Sequence, residues 1–117
     1  VLQCGDPQGQ GSGGPGFQIK DELASLPKPA DGQQAVPYPK GTLAMANSGQ
    51  GFDGSQFFLV FGDTQLPPAY TVVGTVDEAG LAVLDQVAAS GNDGSLDPSP
   101  GGGAPNVPVT IESVTVA

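Results

Sequence analysis

Apolar residues along this chain gather in short, separated runs rather than in long helical stripes. Residues 1–4 make a brief apolar start, residues 41–46 a second run, and residues 56–61 a third that is apolar after Gln56. Residues 70–76 are rich in β-branched side chains. Such runs, bounded by glycine and proline, predict strands. The nearly unbroken 56–61 run predicts a strand buried on both faces. Helical spacing is convincing only over residues 78–89, where Leu81, Leu84, Val87 and Ala88 form one apolar stripe. Asp77 stands where an N-cap acceptor belongs, and Gly91 just past the expected end. Farther on, Val107, Val109 and Ile111 alternate before the phase slips to Val114 and Val116. That pattern predicts a last strand over 107–116 with a bulge near Glu112 and Ser113.

The stretches between these runs read as loops. Residues 5–16 are dense in glycine, with Gly9, Gly11, Gly13 and Gly14 in close succession. Phosphate-cradling loops use such glycines, but they lead into a helix, and here Pro15 and Gly16 follow. Residues 17–26 show no clear period. Residues 28–40 hold Pro29, Pro37 and Pro39 and predict an extended surface loop. Residues 47–54 predict another loop, in which Asp53-Gly54 suits a tight turn. Residues 62–69, with Pro67 and Pro68, predict a turn region, and residues 92–106 a glycine-rich loop.

Composition narrows this picture. A chain of 117 residues predicts one domain with a modest core. Its 19 glycines and 12 prolines fit either disorder or a loop-rich β fold, and the concentrated aromatic and β-branched runs favour the β fold. The net charge is −9, with Lys20, Lys28 and Lys40 the only cations and no arginine. Nucleic-acid binding needs cations against phosphate, so it is excluded as a function class, and anionic membrane surfaces are disfavoured for the same reason. No apolar stretch approaches the ~20 residues of a membrane-spanning helix. The acidity favours solubility and basic clients. With no histidine, imidazole acid–base chemistry and the commonest zinc ligand are absent. Cys4 is the single cysteine, so an internal disulfide is impossible, and its apolar setting predicts a buried, inert thiol. The carboxylates are too scattered for a paired acid–base site or a calcium loop, and Asp21 and Glu22 read as structural. No targeting segment is visible, and the residues fit cytoplasm and cell envelope equally.

Residues 43–59 contain two elements, Met45-Ala46-Asn47 and Gly54-Ser55-Gln56-Phe57-Phe58. In sequence and in spacing they resemble the central signature of the cyclophilin-type peptidyl-prolyl isomerases. Other segments resemble that family in the same order. Gln3-Cys4-Gly5-Asp6 is similar to its QGGD turn, Gly11-Ser12-Gly13-Gly14 to its GTGG loop, and residues 70–74 to the strand after its pocket loop. Residues 66–70, Leu-Pro-Pro-Ala-Tyr, resemble the bacterial, actinobacterial branch. The family's fold is an eight-stranded antiparallel barrel capped by two helices. The resemblance implies that these residues are the C-terminal two-thirds of one such domain. Two strands, the first helix and an F-H-R element are expected ahead of Val1. The expected fold class is therefore mainly β, a partial cyclophilin-like antiparallel barrel with one capping helix.

What the resemblance implies for function is isomerisation of Xaa-Pro peptide bonds in peptides and proteins, in assistance to folding, with no cofactor and no metal. Phe58 would floor a proline pocket, with Val1 and Leu66 at its walls and Pro67 completing it. Gln3 and Gln56 would hold and orient the substrate carbonyl. The Asn47 backbone would pair with the extended peptide, with Ala46 beside it. Tyr70 stands where many eukaryotic members have histidine, and Gly11 and Ser12 line an adjoining subsite. Cyclosporin-type ligands are implied weakly. Taken without the family, Phe57 and Phe58 are core side chains, and Gln3 and Gln56 edge-strand polar residues. The resemblance reverses that reading for Phe58, Gln3 and Gln56. The family's catalytic arginine has no counterpart among these residues. Three functions thus stay open: an isomerase whose N-terminal third lies ahead of Val1, impaired without it; a non-catalytic proline-peptide binding module; and an unrelated glycine-rich β protein.

Overall fold

The computed structural model describes residues 1–49, 51–98 and 101–116. Seven strands and a helix follow in order: β1 (Leu2–Cys4), β2 (Ile19–Lys20), β3 (Val36–Tyr38), β4 (Thr42–Gly49), β5 (Phe52–Leu59), β6 (Thr64–Leu66), β7 (Val72–Thr75) and α1 (Glu78–Ser90). This is the expected class, antiparallel β with one helix. The chain divides into two compact units, Val1–Leu81 and Ala82–Ala117.

In the first unit, β5 is the central strand of a sheet ordered β1-β5-β4-β7, with β2 also on β5. Every pairing is antiparallel. The glycine-dense stretch 5–16 is a loop, as expected, and Gly5, Gly9, Gly11 and Gly16 all have positive φ. Three other sequence-based expectations need correcting. Residues 47–54 are not a loop: β4 runs to Gly49 and β5 starts at Phe52, so Asp53-Gly54 lies inside a strand. The turn passes through Gly51, whose φ of 87° suits glycine, and its neighbour Gln50 lies outside the described residues. Residues 28–40 are not all surface loop, and residues 62–69 are not all turn. Val36–Tyr38 pairs with Thr64–Leu66 as a second, two-stranded sheet. Pro37 fits because an edge strand tolerates the missing N–H at the position facing away from its partner.

The core of this unit joins both sheets. Val36, Tyr38, Ala44, Phe58 and Val60 form one buried cluster, and Leu26, Ala46, Leu66 and Tyr70 pack on it. Tyr38 is 1 % exposed, and its hydroxyl finds the partner that burial demands. It donates to the Tyr70 carbonyl (3.0 Å) and accepts from the Tyr70 amide (3.3 Å). Removing that hydroxyl would strand two part-buried backbone groups, at a cost of about 1–3 kcal/mol. Cys4 is half-buried and free, and burial raises its pKa, in keeping with an inert thiol.

The helix begins and ends as its sequence predicts. The Asp77 carboxylate accepts the Gly80 amide at 2.7 Å, Leu84 and Val87 are the buried positions, and Gly91 takes a φ of 72°. In the second unit, the Asn106 side chain donates to the carbonyls of Ser90 and Asn92, and Asp93 Oδ1 accepts the amides of Ser95 and Ala104. The strand expected over 107–116 does not form, and with it goes the bulge at Glu112 and Ser113. Alternating apolar residues specify a strand only where a neighbour supplies the hydrogen-bond ladder. Val114 and Val116 are instead 77 % and 92 % exposed.

Asp53 is the unusual residue of β5. It is 1 % exposed, and its Oδ1 is the buried side-chain oxygen that lacks a partner among the described residues. Its pKa is raised, first by desolvation and further by the charge of Asp21, against a hydrogen bond from Thr71 that lowers it. Burial disfavours the charged form, so ionisation works against the fold. The carboxyl's contribution to stability is complete below the ordinary carboxylate range and is lost as pH rises through the raised value.

Within Val1–Leu81, six large apolar side chains are exposed (Val1, Phe17, Ile19, Phe52, Val72 and Val73), against six buried hydrophobics (Leu2, Val36, Tyr38, Ala44, Phe58 and Val60). So small a core predicts that the 117-residue chain by itself melts below about 50 °C, the lower part of the usual mesophile range. A cooperative calorimetric transition above that temperature contradicts this. For Asp53→Asn in the full-length protein, the urea midpoint should exceed that of the unmodified protein at neutral pH. The gap should close toward about pH 3.5, where both side chains are neutral. A gap that is independent of pH would mean that the carboxylate carries no charge penalty.

Candidate functional site

The site grows out of one geometric rule. Residues directly opposite each other in a ladder share a face of the sheet, and so do residues two apart along a strand. Phe58 is opposite Gln3 on β1 and opposite Ala44 on β4. Gln56 lies two residues before Phe58, so Gln3, Ala44, Gln56 and Phe58 fall on one face. The register of β4 then shifts on both sides of Asn47, and Asn47 comes to pair with Asp53. Such irregularities re-aim side chains and interrupt the ladder.

On that face a polar cluster meets an apolar one. In the polar part, the Gln3 amide nitrogen donates to Gln56 Oε1 at 2.6 Å, and Gln56 Nε2 donates to the Gly13 carbonyl at 2.8 Å. Both ends of the Gln56 amide are therefore held. A depression of about 250 Å³ opens here, walled by Gly11, Ser12 and Gly13 on the loop side and by Ala46, Asn47, Gly54, Ser55 and Gln56 on the strand side. Its wall carries no charged side chain.

In the apolar part, Phe58 is 4 % exposed and sits in an aromatic trio. Its ring lies 5.4 Å from that of Tyr70, near perpendicular, and 6.2 Å from that of Tyr38. Edge-to-face contacts of this kind add to the burial of the rings themselves. Leu66 and Ala46 pack on the same cluster. Ala46 belongs to both parts, since it also lines the depression. The Asn47 side-chain amide donates to the Ala69 carbonyl at 3.4 Å, a long contact that ties β4 to the segment before Tyr70.

Of the residues singled out from sequence, Gln3, Gly11, Ser12, Ala46, Asn47, Gln56, Phe58, Leu66 and Tyr70 all come into one of these two clusters. Val1 and Pro67 are exposed positions just before β1 and just after β6. Sequence reasoning missed Tyr38 and the part played by Gly13. Tyr38 was hidden among three prolines, although Val36-Pro37-Tyr38 has the alternation of a short strand. The Gly13 contribution is a backbone carbonyl, which no side-chain motif reports. Among the described residues no group of three or more histidine, cysteine or acidic side chains could hold a metal ion.

Comparison with known proteins adds the family. The profile of the family described as "Cyclophilin type peptidyl-prolyl cis-trans isomerase/CLD" matches residues 1–116. The chain is 50 % identical over 117 residues to a Mycobacterium leprae protein named "Probable peptidyl-prolyl cis-trans isomerase B", covering 97 % of this chain and 38 % of that protein. It is 42 % identical over 118 residues to "Peptidyl-prolyl cis-trans isomerase B" of Streptomyces anulatus, covering 99 % of this chain and 59 % of that protein. A Mycobacterium tuberculosis protein named "Peptidyl-prolyl cis-trans isomerase A" is 37 % identical over 119 residues, covering 100 % of this chain and 57 % of that protein. The chain thus spans well under two-thirds of the length of these relatives. No solved structure matches it. With a family match over nearly its whole length and relatives of this identity in Mycobacterium and Streptomyces, the chain belongs to the cyclophilin-type peptidyl-prolyl cis-trans isomerases, in their actinobacterial branch.

Proposed function

We propose that this chain forms the peptide-binding face of a peptidyl-prolyl cis-trans isomerase acting on Xaa-Pro segments of peptides and proteins. The observation that carries this reading is the held Gln3–Gln56 amide pair, on the same sheet face as the Phe58 ring. Turning an Xaa-Pro amide meets a barrier of roughly 20 kcal/mol, because resonance makes the C–N bond partly double. The twisted transition state loses that resonance, and its proline nitrogen becomes pyramidal and basic. A protein lowers the barrier by seating the ring in an apolar pocket, by pinning the backbone on one side of the bond, and by aiming a donor at the nitrogen. No proton transfer and no covalent step is needed, so a chain without histidine is suited to the task.

In this reading Phe58 floors the proline seat, with Leu66 and Tyr70 beside it and Val1 and Pro67 at its rim. A glutamine amide has two N–H groups. Gln56 gives one to Gly13, and the other is directed to the substrate carbonyl, with Gln3 fixing the amide's orientation. The extended peptide runs along β4 where the ladder is interrupted at Asn47, adding to the sheet through backbone hydrogen bonds. Ala46, Gly11 and Ser12 take the residue ahead of the bond. Cyclosporin-type ligands bind the same seat weakly.

The 117 residues contain no arginine. Lys20, Lys28 and Lys40 are exposed, and none lines the depression. In this reading the donor for the proline nitrogen is the family's arginine, which has no counterpart among these residues, and the chain by itself isomerises poorly. The same observation favours a second reading, a proline-peptide binding module without catalysis. A protease-coupled assay on a Xaa-Pro peptide separates them. The 117-residue chain should be at least ~100-fold slower than the full-length protein, since one preorganised donor is worth ~10²–10³ in rate. Equal, fast rates would show that the groove alone catalyses. Peptide binding without isomerisation by the full-length protein would establish the binding module. In the full-length enzyme, Gln56→Ala should lower kcat/KM by about 10-fold or more, as loss of one orienting hydrogen bond does. An unchanged value would remove Gln56 from the site.

A further inference from the structure

Asp6 lies outside the groove, in the turn that leaves β1, yet its carboxylate organises the groove's loop wall. Asp6 Oδ1 accepts the Gln8 amide at 2.8 Å, and Oδ2 accepts the amides of Gln10 (2.8 Å) and Gly11 (2.5 Å). The carboxylate reaches the Gly13 backbone as well, so closely that a Cβ on Gly13 would overlap Asp6 Oδ1. The turn that carries Asp6 is itself pressed on β5. Ser55 Oγ donates to the Gly5 carbonyl at 2.7 Å, and a Cβ on Gly5, where φ is 87°, would overlap the Ser55 carbonyl. Asp6 is thus anchored to β5 on one side and gathers residues 8–13 on the other. A loop this rich in glycine has many conformations to lose. Gln8, Gln10 and Ser12 are exposed, so side-chain packing does little to hold it.

The loop's last anchored group is the Gly13 carbonyl, which accepts Gln56 Nε2, while Gln56 Oε1 accepts from Gln3. Gln3 and Asp6 stand three residues apart on the same segment, so the contacts close a ring: Asp6, the loop, Gly13, Gln56, Gln3, and back along the chain to Asp6. We propose that Asp6 is a positioning residue for substrate capture, whose carboxylate sets the Gly13 carbonyl and thereby fixes the Gln56 amide for the substrate. The inference rests on the assignment of Gln56 to the substrate carbonyl made above. The electrostatics agree with the geometry. Hydrogen bonds from the backbone amides of Gln8, Gln10, Gly13 and Gly11 hold the carboxyl at about 2. The clasp is therefore charged throughout the neutral range and opens only as pH falls toward that value.

The test is a double-mutant cycle in the full-length protein, with kcat and KM measured separately on a Xaa-Pro peptide. Asp6→Ala should lower kcat/KM by about 10-fold, the scale expected when a substrate-orienting group is misplaced. In a Gln56→Ala background the same change should cost less than about 2-fold, because groups acting as one unit are not additive. Asp6→Asn keeps one acceptor oxygen and loses the other, so its kcat/KM should fall between those of Asp6→Ala and the unmodified protein. It carries the cycle where Asp6→Ala does not fold. A Gln56→Ala variant of unchanged activity would overturn the assignment of Gln56, and this inference with it. A slow Gln56→Ala variant beside a fully active Asp6→Ala would overturn the inference alone. So would an Asp6 substitution that costs the same in both backgrounds, since that is the mark of a merely structural residue.

Discussion

β5 is hydrogen-bonded along both edges at once: residues 57–59 pair with β1 on one side and with β4 on the other. That double pairing leaves its side chains no choice of face, because a slip of one residue would turn Phe58 outward and Phe57 inward. The register is held by Phe58, whose ring is buried among Tyr38, Tyr70 and the small Ala44. With Phe58 in the core, Gln56 must stand two positions along the same face, next to Gln3. The polar pair of the site is thus placed by an apolar residue.

The two sheets of the first unit supply different things. The large sheet sets the groove's floor and its amides. The small β3–β6 sheet brings Leu66 to the groove and, through Tyr38, fixes the backbone at Tyr70. The loop wall is neither sheet nor side-chain packing: it is a glycine-rich segment held by hydrogen bonds to Asp6 and closed on Gln56. Strands carry Gln3, Ala46, Asn47, Gln56, Phe58 and Leu66, while Gly11 and Ser12 lie on one short loop.

Much of this was legible in the chain because local signals agreed with the final packing. The helix over residues 78–89 was marked by its stripe, by Asp77 and by Gly91, and all three serve as their chemistry suggests. The residues at the groove could be singled out only through resemblance to a family, carried by segments such as Met45-Ala46-Asn47 and Gly54-Ser55-Gln56-Phe57-Phe58; taken alone, the same residues read as core and edge-strand positions. What was not legible depends on partners distant in sequence. Val36–Tyr38 becomes a strand because Thr64–Leu66 lies beside it, a pairing that overrides the loop signal of its prolines. Residues 107–116 show the converse, an alternating pattern with no strand beside it among the described residues, left exposed at Val114 and Val116. Asp6 was visible as part of a motif, but its hydrogen bonds go to backbone amides that no residue pattern announces.

The proposed seating of a proline peptide across the Gln56–Phe58 face can be mapped residue by residue. In a heteronuclear NMR titration of the full-length protein with a short Xaa-Pro peptide, the shifts should concentrate on the backbone of Gln3, Ala46, Asn47, Gln56, Phe58 and Tyr70, and on the side-chain amides of Gln3 and Gln56. Shifts confined to β7 or to residues 92–106, with the Gln3 and Gln56 amides unmoved, would contradict it.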